Sequence, residues 1–193
     1  MIKKILTTLA ISTSILSAVN TAQLNINSNS LGLKVDYGIN EIYNLSNNSK
    51  YYTTLEYLSS EDTEGTESTD RIVNLGLKIM NPYINDYGVS FGMGINAVWV
   101  NNYSQTFIAT PLSIFADYAI TEEFNIDTSF SYSPKILSYS SATKYQELTA
   151  KINYKVIDNG FAYIGYRDIK TKYDDSTSLK FDNSLFFGYK VQF

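Results

Sequence analysis

A chain of 193 residues carrying a net charge of −4, without Cys or His, has room for one domain and a leader, and it lacks thiolate chemistry, disulfides, the commonest metal ligand and the usual general base. A mildly acidic chain with no basic cluster weighs against nucleic acid as a partner. Seventeen Tyr and ten Phe beside three Pro favour strands over helices, and no mature stretch reaches the roughly 18 to 20 apolar residues of a spanning helix, so a membrane-spanning form would have to be a barrel.

Lys3 and Lys4, the short apolar run Ile5 to Leu16 and the small residues after it read as an export signal over residues 1–22, with cleavage placed after Ala22 and the mature domain over 23–193. Leu24 and Ile26 alternate with Asn25 and Asn27, and Ser28, Asn29 and Ser30 offer a tight turn. Leu31, Leu33, Val35 and Tyr37 then oppose Gly32, Lys34, Asp36 and Gly38. Period two with one apolar and one polar face is a strand between two different environments. Residues 44–49 loop, and 51–59 form a strand in which Leu55 and Tyr57 oppose Thr54, Glu56 and Leu58 less cleanly. Residues 61–70 hold five acids and no base; they lack the spacing of a calcium loop and read as a solvated surface loop.

Val73, Leu75, Leu77 and Ile79 face away from Asn74, Gly76 and Lys78, and the run from Val89 to Val100 sets bulky residues against Ser90, Gly92, Gly94 and Asn96. Glycines on that side leave space for other side chains to fill. The strand from Phe107 to Ile120 contains Pro111, which cannot donate to a ladder and predicts a bulge near its start. Phe124 to Tyr132 and Tyr145 to Ile157 alternate clearly, Asp158 to Gly160 supply a hairpin turn, and 161–172 and 179–193 complete the set. The last strand points Leu185, Phe187, Tyr189, Val191 and Phe193 one way, with Phe186 out of step.

The pattern predicts an all-β, antiparallel up-and-down transmembrane β-barrel of ten strands, with eight as the alternative count. Ten strands put both termini on one side, together with the short turns at 121–123 and 158–160; the loops at 60–70, 101–106, 133–144 and 173–178 fall on the other. The rival is a soluble barrel or sandwich with its apolar face turned inward. In the transmembrane form the lumen receives Lys34, Lys78, Lys151, Lys155, Arg167 and Lys190 against Asp36, Glu56, Asp117, Asp127 and Glu147. Near balance of charge in a narrow interior predicts a paired, side-chain-filled lumen rather than an open pore. No catalytic residue, metal site or cofactor is expected; Asp117 and Asp127 are a conceivable carboxylate pair whose separation the spacing does not fix.

Tyr132, Pro134, Leu137, Ser138, Tyr139, Tyr145 and Glu147, followed by Gly165, Tyr166 and Arg167 and by the C-terminal FDNSLFFGYKVQF, resemble the YfaZ-like family of outer-membrane proteins. Residues 109–118 and 24–40 match more loosely, and Ser141 and Thr143 stand where that family usually carries an acid. Gly188, Val191 and Phe193 are similar to the C-terminal signal by which outer-membrane barrels engage the assembly machinery. The resemblance implies a small barrel in the Gram-negative outer membrane, with outer-membrane lipid and the assembly machinery as its partners. It implies no known activity or ligand. Two roles follow as expectations: a structural or surface-interaction protein using the loops at 60–70 and 133–144, or a small channel lined by Lys34, Lys151, Arg167 and Asp127.

Overall fold

The computed structural model describes residues 20–39, 49–61, 69–81, 88–102, 105–174 and 178–193. Twelve strand segments follow in order: β1 Thr21–Ile26, β2 Ser30–Gly38, β3 Lys50–Glu61, β4 Thr69–Asn81, β5 Val89–Asn101, β6 Thr106–Ala109, β7 Leu112–Ala119, β8 Phe124–Ser133, β9 Ser138–Tyr139, β10 Ala142–Ile157, β11 Gly160–Tyr173 and β12 Ser178–Gln192. Each long strand pairs antiparallel with its neighbour in sequence, and β1 pairs with β12 from Thr21↔Gln192 to Ile26↔Phe187, so the sheet has no free edge. β6 and β7 run along the same neighbour, β5, and form one spanning strand, while β9 is a two-residue patch. The wall is therefore a closed barrel of ten strands, the preferred count. Closure matters in lipid because every backbone N–H and C=O there must find a partner within the protein.

The interruption between β6 and β7 falls at Thr110 and Pro111, where the proline predicted one. Below it β7 pairs with β8; above it β6 pairs with β9 through Ile108↔Tyr139 and Ala109↔Ser138. A single 3-10 turn, Lys135–Leu137, lifts the chain from β8 across to β9, and the Leu137 carbonyl accepts the Thr110 amide at 2.8 Å. The loop thus patches the wall where the proline breaks the ladder.

Turn chemistry explains several of the tight connections. The Asn27 side-chain oxygen accepts the amides of Asn29 (2.8 Å) and Ser30 (2.5 Å), an Asx turn that closes the β1–β2 hairpin. Thr121 Oγ1 accepts the amides of Glu123 and Phe124 at 3.2 and 3.1 Å between β7 and β8. Asn20 and Phe193, the first and last described residues, lie at one end of the barrel, the terminal end, and the strand ends that follow one another from β1 to β2, β3 to β4, β5 to β6, β8 to β10 and β11 to β12 lie at the other, the loop end. The expected acidic loop and the expected long connections near 40–50 and 81–88 fall mostly outside the described residues.

Parity sets the two faces. Leu31, Leu33, Val35, Leu55, Leu75, Leu77, Ile114, Leu185 and Phe187 are exposed on the outer surface, Phe187 at 65 %. Asn25, Asp36, Glu56, Asn74, Ser113 and Lys190 are buried inside. That inversion of the usual inside and outside is what a lipid-facing barrel requires, and it removes the soluble alternative with its apolar face inward. The ladder takes in Thr21 and Ala22, opposite Gln192 and Val191, and Asn20 exchanges two backbone hydrogen bonds with Phe193 at 3.1 and 3.0 Å. The wall therefore begins on the leader side of the expected boundary.

Candidate functional site

The lumen is divided along its axis into two unlike halves. At the loop end an apolar cluster packs across the lumen: Leu58, Ile72, Val98, Val100, Phe107 and Ala109 from β3–β6 meet Ala142, Tyr145, Ile169, Tyr173 and Phe181 from β10–β12, with Ser60, Asp70, Ser133 and Thr171 buried at the same end. Val98 and Tyr145 are 0 % exposed. The Phe107 ring stands edge-on to Tyr173 at 5.8 Å and tilted to Tyr145 at 6.4 Å. Asn102 closes the top by donating to the Tyr173 hydroxyl at 2.6 Å.

Arg167 marks the floor of that layer. Only 2 % of it is exposed, and its Nε and Nη2 donate to Asp182 Oδ2 at 2.9 and 2.6 Å while Nη2 also reaches Ser30 Oγ at 3.1 Å. The guanidinium lies over the Phe186 ring at 5.0 Å, which accounts for an aromatic on the polar face. Beside it, the Tyr145 hydroxyl donates out of the apolar layer to Glu147 Oε2 at 2.9 Å. Ionised donors and acceptors in such a setting make the stronger class of hydrogen bond.

From this floor to the terminal end runs a chamber of about 700 Å³, lined by Arg167 and Phe186 at its depth and by Thr121, Glu122 and Gln192 near its mouth. Lysines along it are paired with acids. Lys34 lies 3.4 Å from Glu56, Lys78 lies 3.3 Å from Asp36, and Lys151 and Lys190 share Asp127 at 3.7 and 3.6 Å. Thr54 Oγ1 donates to Asp36 at 2.5 Å and Lys151 donates to Gln23 at 2.9 Å. Aromatic faces hold the ammonium groups from the side: Tyr52 and Phe115 beside Lys78, Tyr163 beside Lys151, Phe161 beside Lys190, at 4.8 to 5.4 Å. Asp117 sits directly across the ladder from Asp127, and the cations that face it are Lys78, Lys190 and Lys151.

Small residues make room for this arrangement. A Cβ at Gly92 would lie 2.2 Å from the Met80 sulfur, and one at Gly188 would lie 2.3 Å from the Tyr163 ring. Tyr163 lies across Gly188 with its hydroxyl donating to the Leu24 carbonyl at 3.1 Å and bonded to Asn25. Gly188 thus ties the last strand to the first. Of its companions in the C-terminal motif, Val191 and Phe193 are exposed on the outer face.

Ten of the eleven charges expected in the lumen line the chamber. Lys155 does not: it stands at the rim, 3.3 Å from the fully exposed Asp158 in the β10–β11 turn. Sequence reasoning missed Asp182, although it shares the inward parity of Ser184, Phe186, Gly188 and Lys190; Phe181, an extra residue opposite the step from Ile169 to Lys170, shifts only the residues before it. It also missed the apolar layer. Among the described residues no group of His, Cys, Asp and Glu is placed to hold a metal ion.

Comparison with solved structures finds outer-membrane barrels at low identity. The DcaP channel of Acinetobacter baumannii is 13 % identical over 91 % of this chain and 62 % of its own, with a TM-score of 0.42. OmpT of Vibrio cholerae is 12 % identical over 85 % of this chain and 56 % of its own, TM-score 0.39. The NanC porin is 11 % identical over 91 % of this chain and 98 % of its own, TM-score 0.46. The chain spans less than two thirds of the length of the first two. No curated protein matches it. The family described as YfaZ precursor matches residues 6–193, nearly the full length, and the chain belongs to that family.

Proposed function

We propose that this barrel is a non-conducting, non-enzymatic outer-membrane protein with a structural or surface-interaction role, its loop end facing out and its chamber facing the periplasm. One observation carries the reading: the apolar layer from Leu58 to Phe181 fills the lumen at the loop end. An ion crossing it would leave its hydration behind for a packed, largely apolar cluster, a cost of many kcal/mol. The assembly motif of Gly188, Val191 and Phe193 and the export leader belong to this reading.

The loop end offers a built surface for contact. The turn at 134–141 is held by Ser133 Oγ donating to the Leu137 carbonyl at 2.8 Å and by Lys135 against Asp174 at 2.7 Å, and it presents Ile136 with 82 % of its surface exposed. Protease shaving of intact cells, or Ile136→Asp, should abolish a surface interaction and leave the barrel folded. Steady conductance by the unmodified barrel in planar bilayers overturns the reading.

The second reading, a small channel for ions or small solutes, draws on the chamber of about 700 Å³ with its twelve charged residues. It requires the apolar layer to move aside.

A further inference from the structure

We infer that the outer face of β10–β12, just above the apolar band at the loop end, binds the phosphate groups of an anionic lipid in the adjoining leaflet. The inference rests on the barrel sitting in a membrane and adds a ligand class that neither functional reading contains.

The observation is a set of lysines stacked against one another by the ladder. Lys144 is the register partner of Lys172, and Lys170 is the partner of Lys180. Tyr145, Ile169 and Thr171 are buried on the inner face, so these lysines point outward, with Lys172 and Lys180 exposed and Lys144 and Lys170 half-buried. Like charges directly across a ladder repel, and here two such pairs lie side by side on three adjacent strands. Lys170 is compensated by Asp168 at 2.5 Å, and Asn183 Nδ2 holds the other oxygen of that carboxylate at 2.9 Å. Lys135 takes Asp174. Lys144, Lys172 and Lys180 have no ion pair among the described residues.

Position says which anion completes the set. Immediately towards the terminal end on the same strands, Leu148, Ile152, Ile164 and Leu185 are exposed to lipid at 39, 50, 41 and 62 %. Lys144 lies over the ring of outward-facing Tyr132 at 5.3 Å, the arrangement of an interfacial anchor. A ligand there has its apolar part against the band and its charge among the lysines, which describes a lipid phosphate and not a free solute. Lysine clusters at a membrane boundary attract anionic headgroups, and the ammonium binds phosphate as a compact point charge. On the rest of the loop-end rim the strands' described outward-facing base is Arg71 of β4, and Lys135 of the β8–β9 turn is held by Asp174.

The test uses the folded barrel purified from membranes in a neutral detergent, with bound lipid read by native mass spectrometry. Bis-phosphorylated lipid A, the same lipid dephosphorylated, and inorganic pyrophosphate are the three probes. The wild type should retain the phosphorylated lipid at least tenfold better than the dephosphorylated one. The triple variant Lys144→Gln, Lys172→Gln, Lys180→Gln should lose that preference, and the corresponding Arg triple should keep it. Equal retention of both lipids by the wild type overturns the inference, as does undiminished preference in a folded Gln triple. Competition by pyrophosphate at the lipid's own concentration overturns the lipid as the source of the anion. If the Gln triple does not fold, the comparison of lipids on the wild type decides alone. Failure of the membrane reading itself shows separately, as absence of the protein from the membrane fraction.

Discussion

The two halves of the lumen are built on the same ten strands, with the same parity, and solve the problem of filling a narrow barrel in opposite ways. At the loop end Val98, Val100, Phe107 and Tyr145 pack together, almost wholly buried; at the terminal end Lys34, Lys78, Lys151 and Lys190 are matched to acids around a cavity of about 700 Å³. The contrast teaches that a polar inner face is not by itself a pore. What decides passage is whether side chains pack across the barrel at some level, and the cluster from Leu58 to Phe181 does so here. Arg167 and Asp182 sit at the junction, so the most deeply buried ion pair is the one that separates the halves.

The contrast can be broken at the junction first. Asp182→Asn leaves the Arg167 guanidinium enclosed without its anion, and loss of one partner of a buried pair costs about 3–5 kcal/mol. Denaturant titration of the folded band should show a loss of that size. Phe107→Ala removes the centre of the apolar layer, where Tyr145 and Tyr173 meet it, and should cost about 3 kcal/mol or slightly more. The same titration checks it. In the charged half, Lys34→Met leaves Glu56 facing a chamber that can admit water, and the expected loss is smaller, about 1–2 kcal/mol, between the exposed and the buried cases. Lys155→Ala, at the rim against a fully exposed Asp158, should leave the unfolding midpoint unchanged. A loss at Lys155 as large as at Lys34 would erase the distinction between rim and chamber.

Much of the wall was legible because period two survives translation into structure. Leu31 to Tyr37, Val73 to Ile79 and Leu148 to Val156 read correctly face by face, and the parity of strands with co-located termini selected ten. Pro111 announced its own interruption. Depth along the axis was not legible, since alternation says which face a side chain takes and nothing about its level. Leu58 blurred β3 for this reason: it keeps the inward parity of Glu56 but lies one step further into the apolar layer. Val98 and Val100 likewise continue the inward row of Gly92, Gly94 and Asn96. Asp182 was legible, since it continues the inward row of Ser184, Phe186, Gly188 and Lys190; what was hidden is the outward turn of Lys180, because the extra residue Phe181 changes parity without leaving a mark in composition. The pairing of Lys144 with Lys172 needs a register, and register is a tertiary fact.

The central claim is that the apolar layer seals the lumen, and planar-bilayer conductance of the folded barrel tests it most directly. Insertion is verified on the same vesicles by a band that migrates differently unheated and boiled, and an open porin serves as the positive control. Silent bilayers with inserted protein are the predicted result. Reproducible, steady current steps from the unmodified barrel would contradict the account and place the function in the chamber.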